Sequence, residues 1–428
     1  MSYYEFSVFL AENVDTYIKC LLFSVLIYSV ILYRHSLSIF EPLTFVFLGS
    51  MFGFSVILLL HQTDQISQYY FFQYLFSQIA FFIGFLCFKV TKNNIIQRDA
   101  NIETPSGNQL FYWYLIISSC FIIMNLVIYK VSGIPLFSEY RLAVGTGGGL
   151  GLLKRVLRIV TPASCYLSFY FLFSSKQRYR FCAIIVLLFH CIVTILSGSK
   201  SAFFSILQLF FLYCILNRNT SGRVLAIFKK YQLYIILIAV FMSILTIIIQ
   251  GNMAFRESFA ALLFRFVSFG DTYYMAYPSA LIEYLSKADF ITVFFGDLLR
   301  TIRIFTEDMA PPGIGFELYN LANKSVDAFA GPNPRHNIYG YVNFGFWGGI
   351  LFSLGCGLIL SFTRRSLFST NLNITQDRKI LILLCYLSVV SVETDPPSTI
   401  MYLNNIILIY PILLLINNLL TCLSKKRI

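Results

Sequence analysis

The chain has 428 residues, of which 57% are hydrophobic and only 12% are charged, and its formal net charge is +12. Because an average soluble domain is about 25% charged, this composition excludes a water-soluble globular protein and predicts an all-α polytopic membrane protein. Cytoplasmic loops of membrane proteins collect Lys and Arg, so the positive charge does not indicate nucleic-acid binding. The ten cysteines fall within or beside apolar runs and form no CxxC pair, which favours neither disulfides nor structural zinc.

In chain order, the apolar runs predict about eleven transmembrane helices, within a range of roughly ten to twelve. A span needs roughly 20 apolar residues, and a helix satisfies all of its backbone polar groups without water. The spans are expected at residues 17–33, 39–60, 69–89, 110–131, 156–174, 181–198, 201–217, 231–250, 338–362, 379–394 and 399–421. They divide the chain into a membrane domain at 1–250, a large loop at 251–337 and a second membrane domain at 338–428.

The charges between the spans alternate along the chain. Basic residues follow every second span, as at Arg364, at Lys379 and in the C-terminal segment 425–427, whereas the N-terminal segment is acidic. By the positive-inside rule, this pattern predicts a cytoplasmic C-terminus and a periplasmic N-terminus. Because eight spans precede it, the loop 251–337 is expected on the same, periplasmic side as the N-terminus. The acidic start also lacks the basic segment of a signal peptide, so we do not expect cleavage.

Two segments predicted to lie outside carry cations against this trend. One is a basic, Gly-rich loop at 132–155 that includes Arg141. The other is the large loop 251–337, whose arginines include Arg256, Arg265, Arg300 and Arg303. Its apolar and aromatic residues predict helices that lie in the membrane interface. The arginines either bind an anionic ligand or contact the phosphates of the outer leaflet.

The strongest candidate site residues are Arg335, His336 and Asn337, which follow the turn-forming sequence 331–334 (Gly-Pro-Asn-Pro) and precede a span. A histidine exchanges a proton near neutral pH, and an adjacent arginine can hold anionic oxygens bidentately. The alternative is a histidine at a helix start that only forms a hydrogen bond with the backbone.

Three acidic residues are further candidate bases. Asp271 lies in the large loop, and Glu393 and Asp395 lie in a tight turn between the last two spans. A positioned carboxylate can take a proton from a hydroxyl group, but acidic residues in a tight turn also serve to cap the next helix. P-loop, GxGxxG, HExxH and DxD motifs do not occur, so we expect no metal and no other cofactor.

The stretch GPNPRHNIYGYVNFGFWGGI at 331–350, which leads straight into a span, resembles bacterial O-antigen polymerases of the Wzy type. The SGSKSAF hairpin at 197–203, FGD at 269–271 and FFGDLLR at 294–300 are similar as well. A chain of many spans with one long outside loop near its end fits the same family. O-antigen ligases share much of this architecture. The resemblance implies a GT-C-like glycosyltransferase that needs neither metal nor nucleotide.

The resemblance also implies a substrate, an undecaprenyl-diphosphate-linked oligosaccharide at the periplasmic face of the bacterial inner membrane. The enzyme would transfer the growing glycan from its lipid diphosphate to the non-reducing end of another lipid-linked repeat, in lipopolysaccharide biosynthesis. A flippase and a chain-length regulator of the same pathway would be its partners. A ligase that acts on lipid A-core is the close alternative. A lipid-linked oligosaccharide flippase is a further one, although transporters of that kind usually show internal repeats and we find none.

The roles implied for the residues follow from that reaction. Arginines would stabilise the charge that grows on the departing diphosphate, and His336, or else Glu393 or Asp395, would act as the base. The expected catalytic set is therefore His336, Arg335, Asp395 and Glu393. The expected substrate-binding set is Arg141, Arg256, Arg265, Arg300, Arg303, Asn337 and Asp271.

Overall fold

The computed structural model describes residues 1–90, 107–138, 150–173, 176–199, 202–217, 264–306, 311–324, 331–369 and 374–425, with isolated positions between 230 and 248. Over these residues the regular secondary structure is helical, with no strand. The α-helices in chain order are α1 (Tyr3–Glu12), α2 (Val14–His35), α3 (Pro42–Gln62), α4 (Gln68–Leu86), α5 (Gly107–Ser132), α6 (Gly151–Leu172), α7 (Gln177–Leu196), α8 (Ala202–Leu216), α9 (Asp271–Ala276), α10 (Phe290–Thr301), α11 (Ile314–Asn323), α12 (His336–Ser369), α13 (Gln376–Val389) and α14 (Pro396–Lys425). Short 3-10 helices lie at Pro135–Phe137, Ser268–Gly270 and Pro278–Tyr284.

Seven of the helices in the described ranges are long and apolar enough to cross a membrane. They are α2, α3, α4, α5, α7, α12 and α14. A polytopic, all-helical membrane protein is therefore confirmed, whereas the count of eleven spans stays a prediction. Each predicted span except 231–250, which falls largely outside the described residues, coincides with a helix. Of these, α8 and α13 are short, with 15 and 14 residues, and α6 has basic residues in its first turns.

The chain folds as two compact units, each assembled from three separate stretches. The first unit comprises Met1–Lys92, Ala261–Arg365 and Tyr386–Asn404, and the second comprises Asn93–Ala260, Ser366–Cys385 and Asn405–Ile428. The described part of the large loop, the start of α12 and the acidic turn after α13 all belong to the first unit. This unit therefore holds most of the residues that the sequence singles out.

Local sequence explains where the helices of the first unit begin. Ser2 and Glu5 form a capping box on α1, and Ser67 and Asp289 cap α4 and α10 with their side chains. Pro42 occupies the first turn of α3, where a missing N–H costs nothing.

Helices α4 and α12 cross at glycines. A Cβ atom at Gly84 would lie 2.3 Å from the carbonyl oxygen of Leu354, and one at Gly357 would lie 2.0 Å from that of Phe81. Small residues let two membrane helices approach backbone to backbone. Gly345, with φ at +72°, bends α12 between its polar start and this crossing.

A buried ion pair ties α12 to the loop before α3. Arg364 is 2% exposed, and its Nε donates to Glu41 Oε1 at 2.6 Å. Its Nη2 donates to Glu41 Oε2 at 3.2 Å, and Tyr386 donates its hydroxyl to Glu41 Oε1 at 3.3 Å. The sequence suggested a loop cation at Arg364. Since its charge meets a buried carboxylate, Arg364 lies inside the unit, and α12 continues past it.

In the second unit, α6 packs against α5, α7 and α8. Its face around Tyr166 is buried, and Tyr166 donates its hydroxyl to Gln376 Oε1 at 2.8 Å and accepts from Asn217 Nδ2 at 2.9 Å. Lys379, which we also expected in a solvated loop, is 5% exposed and donates to Asn217 Oδ1 at 3.0 Å. This unit thus has its own buried polar network.

Candidate functional site

Arg335 lies immediately before α12 and is almost fully buried, at 4% exposure. Its guanidinium donates from Nη2 to the carbonyl oxygen of Gly49 at 3.1 Å and from Nη1 to Ser50 Oγ at 3.4 Å. On one side it faces the ring of Tyr273, 5.6 Å from the ring centroid. A Cβ atom at Gly53 would lie 3.3 Å from Arg335 Cζ. Because Gly49 and Gly53 are one helical turn apart, they share the face of α3 that admits the guanidinium.

Glu393 lies in the turn between α13 and α14, outside both helices, and is 1% exposed. Its Oε1 accepts hydrogen bonds from Ser50 Oγ and, at 2.9 Å, from Gln78 Nε2. Its Oε2 is buried and has no hydrogen-bond partner in this part of the described chain. Burial raises the pKa of Glu393, while Arg335 and the two hydrogen bonds act to lower that pKa. Glu393 is therefore a carboxylate with one oxygen available for a proton.

Ser50 joins the two charged side chains. Its hydroxyl accepts from Arg335 and donates to Glu393. The backbone connects them a second time, because the N–H of His336 donates to the carbonyl oxygen of Glu393 at 3.1 Å. The start of α12 and the acidic turn are thus held together, and we refer to Ser50, Gln78, Arg335, His336 and Glu393 as the polar centre.

His336 is 1% exposed, and its ring stacks on Phe81 at 5.0 Å. Its Nδ1 lies 2.8 Å from Ser353 Oγ, and its Nε2 lies 3.2 Å from Gln78 Oε1. Gln78 gives its amide N–H to Glu393, so its oxygen faces the histidine, and the hydrogen-bond network assigns the proton to Nε2. Both ring nitrogens have partners. His336 is therefore placed to orient Glu393 through Gln78, and Glu393 has the open oxygen.

Asn337 and two tyrosines, Tyr273 in α9 and Tyr277 just after it, complete the surroundings of Arg335. Asn337 is fully buried, and its Nδ2 donates to Tyr273 Oη at 3.1 Å. Gln73 on α4 donates to the carbonyl oxygen of Asn337 at 3.0 Å and accepts from the Tyr277 hydroxyl at 2.8 Å. These bonds fix the ring of Tyr273 against the guanidinium.

Asp271 begins α9, the helix that carries Tyr273. Its Oδ1 accepts from the backbone N–H of Thr272 at 2.7 Å. Burial raises the pKa of Asp271 to about 6, against the hydrogen bond from Thr272 and the charge of Arg335, which lower it. Asp271 therefore lies within the electrostatic reach of the polar centre and titrates near neutral pH.

The remaining predicted site residues lie elsewhere or outside the described ranges. Arg265, Arg300 and Arg303 are exposed, and Arg300 lies in the last turn of α10, where a cation complements the helix dipole. Asp395 Oδ1 accepts from the backbone N–H of Ser398 at 3.1 Å, which is the capping role that the sequence left open. Arg141 and Arg256 lie outside the described residues. The structure thus brings together Arg335, His336, Asn337, Glu393 and, at the margin, Asp271.

Sequence reasoning missed Ser50, Gln78 and Tyr273. One signal could have found Ser50 and Gln78, since polar side chains inside an otherwise apolar span mark buried interactions. Ser50 lies between two glycines of α3, and Gln73 and Gln78 lie in the middle of α4. Tyr273 belongs to a loop with many tyrosines and carries no such mark.

No family model, no curated protein and no solved structure matches the chain. Among the described residues, no group of three or more His, Cys, Asp or Glu side chains could hold a metal ion.

Proposed function

We propose that this chain is a glycan polymerase that acts on lipid-linked oligosaccharide repeats. It would transfer the growing glycan from undecaprenyl diphosphate to the non-reducing end of another lipid-linked repeat. The observation that supports it best is the polar centre, a buried arginine and a buried carboxylate joined by Ser50 at the start of a helix long enough to cross the membrane. Ionisable residues buried in membrane proteins are costly and usually functional.

The reaction assigns a separate task to each charged side chain. An acceptor hydroxyl oxygen forms a bond to the anomeric carbon while the bond from that carbon to the diphosphate oxygen breaks. The hydroxyl proton passes to Glu393 Oε2, and the diphosphate departs with its negative charge. Arg335 has N–H groups beyond the two that bind Gly49 and Ser50, so it can donate to the diphosphate oxygens.

His336 and Tyr273 serve as positioning residues in this proposal. His336 holds the amide of Gln78, which in turn holds Glu393 Oε1, so that Oε2 keeps its orientation. Tyr273 covers one face of the guanidinium.

The proposed location is the bacterial inner membrane, with the polar centre near its periplasmic side, the N-terminus periplasmic and the C-terminus cytoplasmic. The residues around 251–337 would form the periplasmic loop of a GT-C-like enzyme. Exposed apolar residues on α10, including Phe290, Ile291 and Phe295, support its contact with the membrane interface. A flippase and a chain-length regulator would act beside it.

A lipid-linked oligosaccharide flippase remains the second candidate, because buried ionisable residues such as Arg335 and Glu393 also mark proton and substrate pathways in transporters. A ligase that moves glycan onto lipid A-core would use the same two side chains in the same way. The lengths of the glycan chains on lipopolysaccharide in the cell distinguish the polymerase from the ligase and the flippase.

The test is a gel of lipopolysaccharide from a host with the gene deleted and complemented by variants. Deletion, R335A and E393Q should each leave core plus one repeat, while the wild type restores long chains. Arg34 in the last turn of α2 is exposed, so R34A is a matched control that should restore the full ladder. Full ladders from R335A and E393Q would contradict the assigned site. Loss of even the single-repeat band on deletion would favour the ligase or the flippase.

A further inference from the structure

A second group of polar side chains lies at the surface of the first unit. Glu283 is exposed, and its Oε1 accepts hydrogen bonds from the hydroxyls of Tyr70 at 3.1 Å and Tyr341 at 2.5 Å. The ring of Tyr69 meets those of Tyr70 and Tyr341 edge to face at 5.5 and 6.3 Å. We call these four residues the Glu283 cluster. Three different elements, α4, the 3-10 helix 278–284 and α12, build it.

The cluster connects to the polar centre through stacked rings. Tyr70 stacks on Tyr277 at 5.4 Å, and Tyr277 stacks on Tyr273 at 5.9 Å. Tyr273 in turn faces the guanidinium of Arg335. Tyr277 and Tyr273 are each 1% exposed, so the inner part of the stack is packed inside the unit. The Glu283 cluster is therefore the outer end of a ring stack whose inner end is the candidate site.

On its outer side the cluster presents aromatic faces beside an acceptor. Tyr69 is 51% exposed and packs against Phe346 at 5.3 Å, and Phe346 packs against Trp347, which is 74% exposed. The two tyrosine hydroxyls donate to Oε1 of Glu283, and no other described residue forms a hydrogen bond with its Oε2. An aromatic face buries the C–H surface of a sugar ring, and a carboxylate accepts hydrogen bonds from neighbouring hydroxyls.

The negative charge of Glu283 distinguishes between two ligands of an exposed aromatic surface, a lipid headgroup and a sugar. Tyr and Trp also concentrate where membrane proteins meet lipid headgroups. A carboxylate placed among these rings repels phosphate, so it disfavours a phospholipid headgroup or the diphosphate itself. It favours an uncharged group rich in hydroxyls.

We propose that the Glu283 cluster binds an uncharged sugar ring of the glycan, with Glu283 as hydrogen-bond acceptor and Tyr69 as the stacking face. The identity of this glycan as a substrate rests on the proposed function. Because three ring contacts separate the cluster from Arg335, the bound sugar is a unit other than the one that reacts. The cluster thus holds the glycan strand in place and does no chemistry.

Trp347 offers a direct probe of binding. The chain has two tryptophans, so W113F leaves Trp347 as the single reporter. Trp113 is fully buried, and its ring nitrogen has no hydrogen-bond partner among the residues that the structure describes. The probe is the host's surface polysaccharide, released from its lipid by mild acid and titrated into purified W113F protein. We expect a saturable blue shift of the Trp347 emission, because a bound sugar excludes water from the ring.

In that background, E283Q should weaken the apparent affinity about tenfold, the loss of roughly one charge-assisted hydrogen bond. Y341F should weaken it less, because it removes only a group that orients Glu283. Glu12 is an exposed acid at the end of α1, so E12Q is the matched control and should bind as the parent does. Equal affinities for E283Q and its parent, or no shift in the parent, would overturn the proposal. Phosphatidylglycerol vesicles that shift the emission when the glycan does not would also overturn it, in favour of a lipid contact.

The same variants separate this proposal from the proposed function. If R335A keeps its long chains while E283Q loses glycan binding, the polymerase assignment fails and the sugar site stands. If R335A loses its long chains while E283Q binds as its parent does, the sugar site fails and the polymerase stands.

Discussion

Arg335 and Glu393 are buried together, so removing both charges should cost less stability than the two single losses added together. R335Q leaves Glu393 buried without a positive partner, and E393Q leaves Arg335 without a negative one. Losing one member of a buried pair typically costs about 3–5 kcal/mol. The double variant R335Q/E393Q leaves neither charge in the interior.

The structure sets the size of the expected coupling. Ser50 Oγ lies 3.4 Å from Arg335 Nη1 and donates to Glu393, which places the two charged groups roughly 4–6 Å apart. With an effective dielectric constant of about 20, two unit charges at about 5 Å attract by about 3 kcal/mol. We therefore expect a coupling free energy of about 2–3 kcal/mol, which corresponds to about 2–3 °C in the midpoint of unfolding for a chain of 428 residues.

Thermal unfolding of the four purified proteins in one detergent measures this coupling. Buried thiols such as Cys356 react with a fluorescent maleimide once the chain unfolds, and the exposed Cys87 and Cys422, which react before unfolding, set the baseline. The cycle E41Q, R364Q and E41Q/R364Q is the matched control, because that pair is in direct contact at 2.6 Å and should couple at least as strongly. If the double variant R335Q/E393Q loses as much in its unfolding midpoint as the two single variants together, the attraction between the two charges is refuted.

Three further predictions test other parts of the first unit. G357A should lower the unfolding midpoint by about 1–3 °C, because its Cβ would meet the backbone of Phe81 at 2.0 Å, whereas G355A, with nothing within 4 Å, should not. D271N should stabilise the protein increasingly as the pH rises from 4 to 7: the pKa of Asp271 is raised to about 6 in the fold, so its ionisation there opposes folding. A pH-independent difference in midpoint would contradict this. G53A should shorten the glycan chains on the lipopolysaccharide gel, because its Cβ would press on the guanidinium at 3.3 Å; an unchanged ladder would argue against a role for that position.

The sequence predicted the positions of the helices well because the hydrophobicity of a continuous run of residues determines where a membrane helix forms. A helix that crosses a bilayer must be apolar over roughly 20 residues, and this signal is local. Helices α2, α3, α12 and α14 therefore begin within a few residues of the expected spans. The same locality explains why the turn-forming sequence 331–334 indicated that a helix begins close to His336, where α12 starts.

The polar centre could not be predicted in the same way, because its partners are distant in sequence. Ser50 and Glu393 are separated by 343 positions, and Gln78 and His336 by 258. A single sequence shows which residues are polar but not which of them meet. For the same reason, the sequence indicated solvated loop cations at Arg364 and Lys379, although Glu41 and Asn217 bind them in the interior.

The two buried arginines of the first unit show why one of them is a candidate for chemistry and the other is not. Arg335 directly precedes α12, and Arg364 lies near the end of α12. Glu41 uses both carboxylate oxygens, since Oε1 meets Arg364 Nε and Oε2 accepts from Arg364 Nη2 and from a backbone N–H. A pair satisfied in this way is a structural clamp, and a ligand could bind there only by breaking it. Glu393 instead meets its arginine through the hydroxyl of Ser50, and its Oε2 has no hydrogen-bond partner among the described residues. A buried acceptor left open costs free energy, so its persistence is better explained by a proton or a substrate group that it receives.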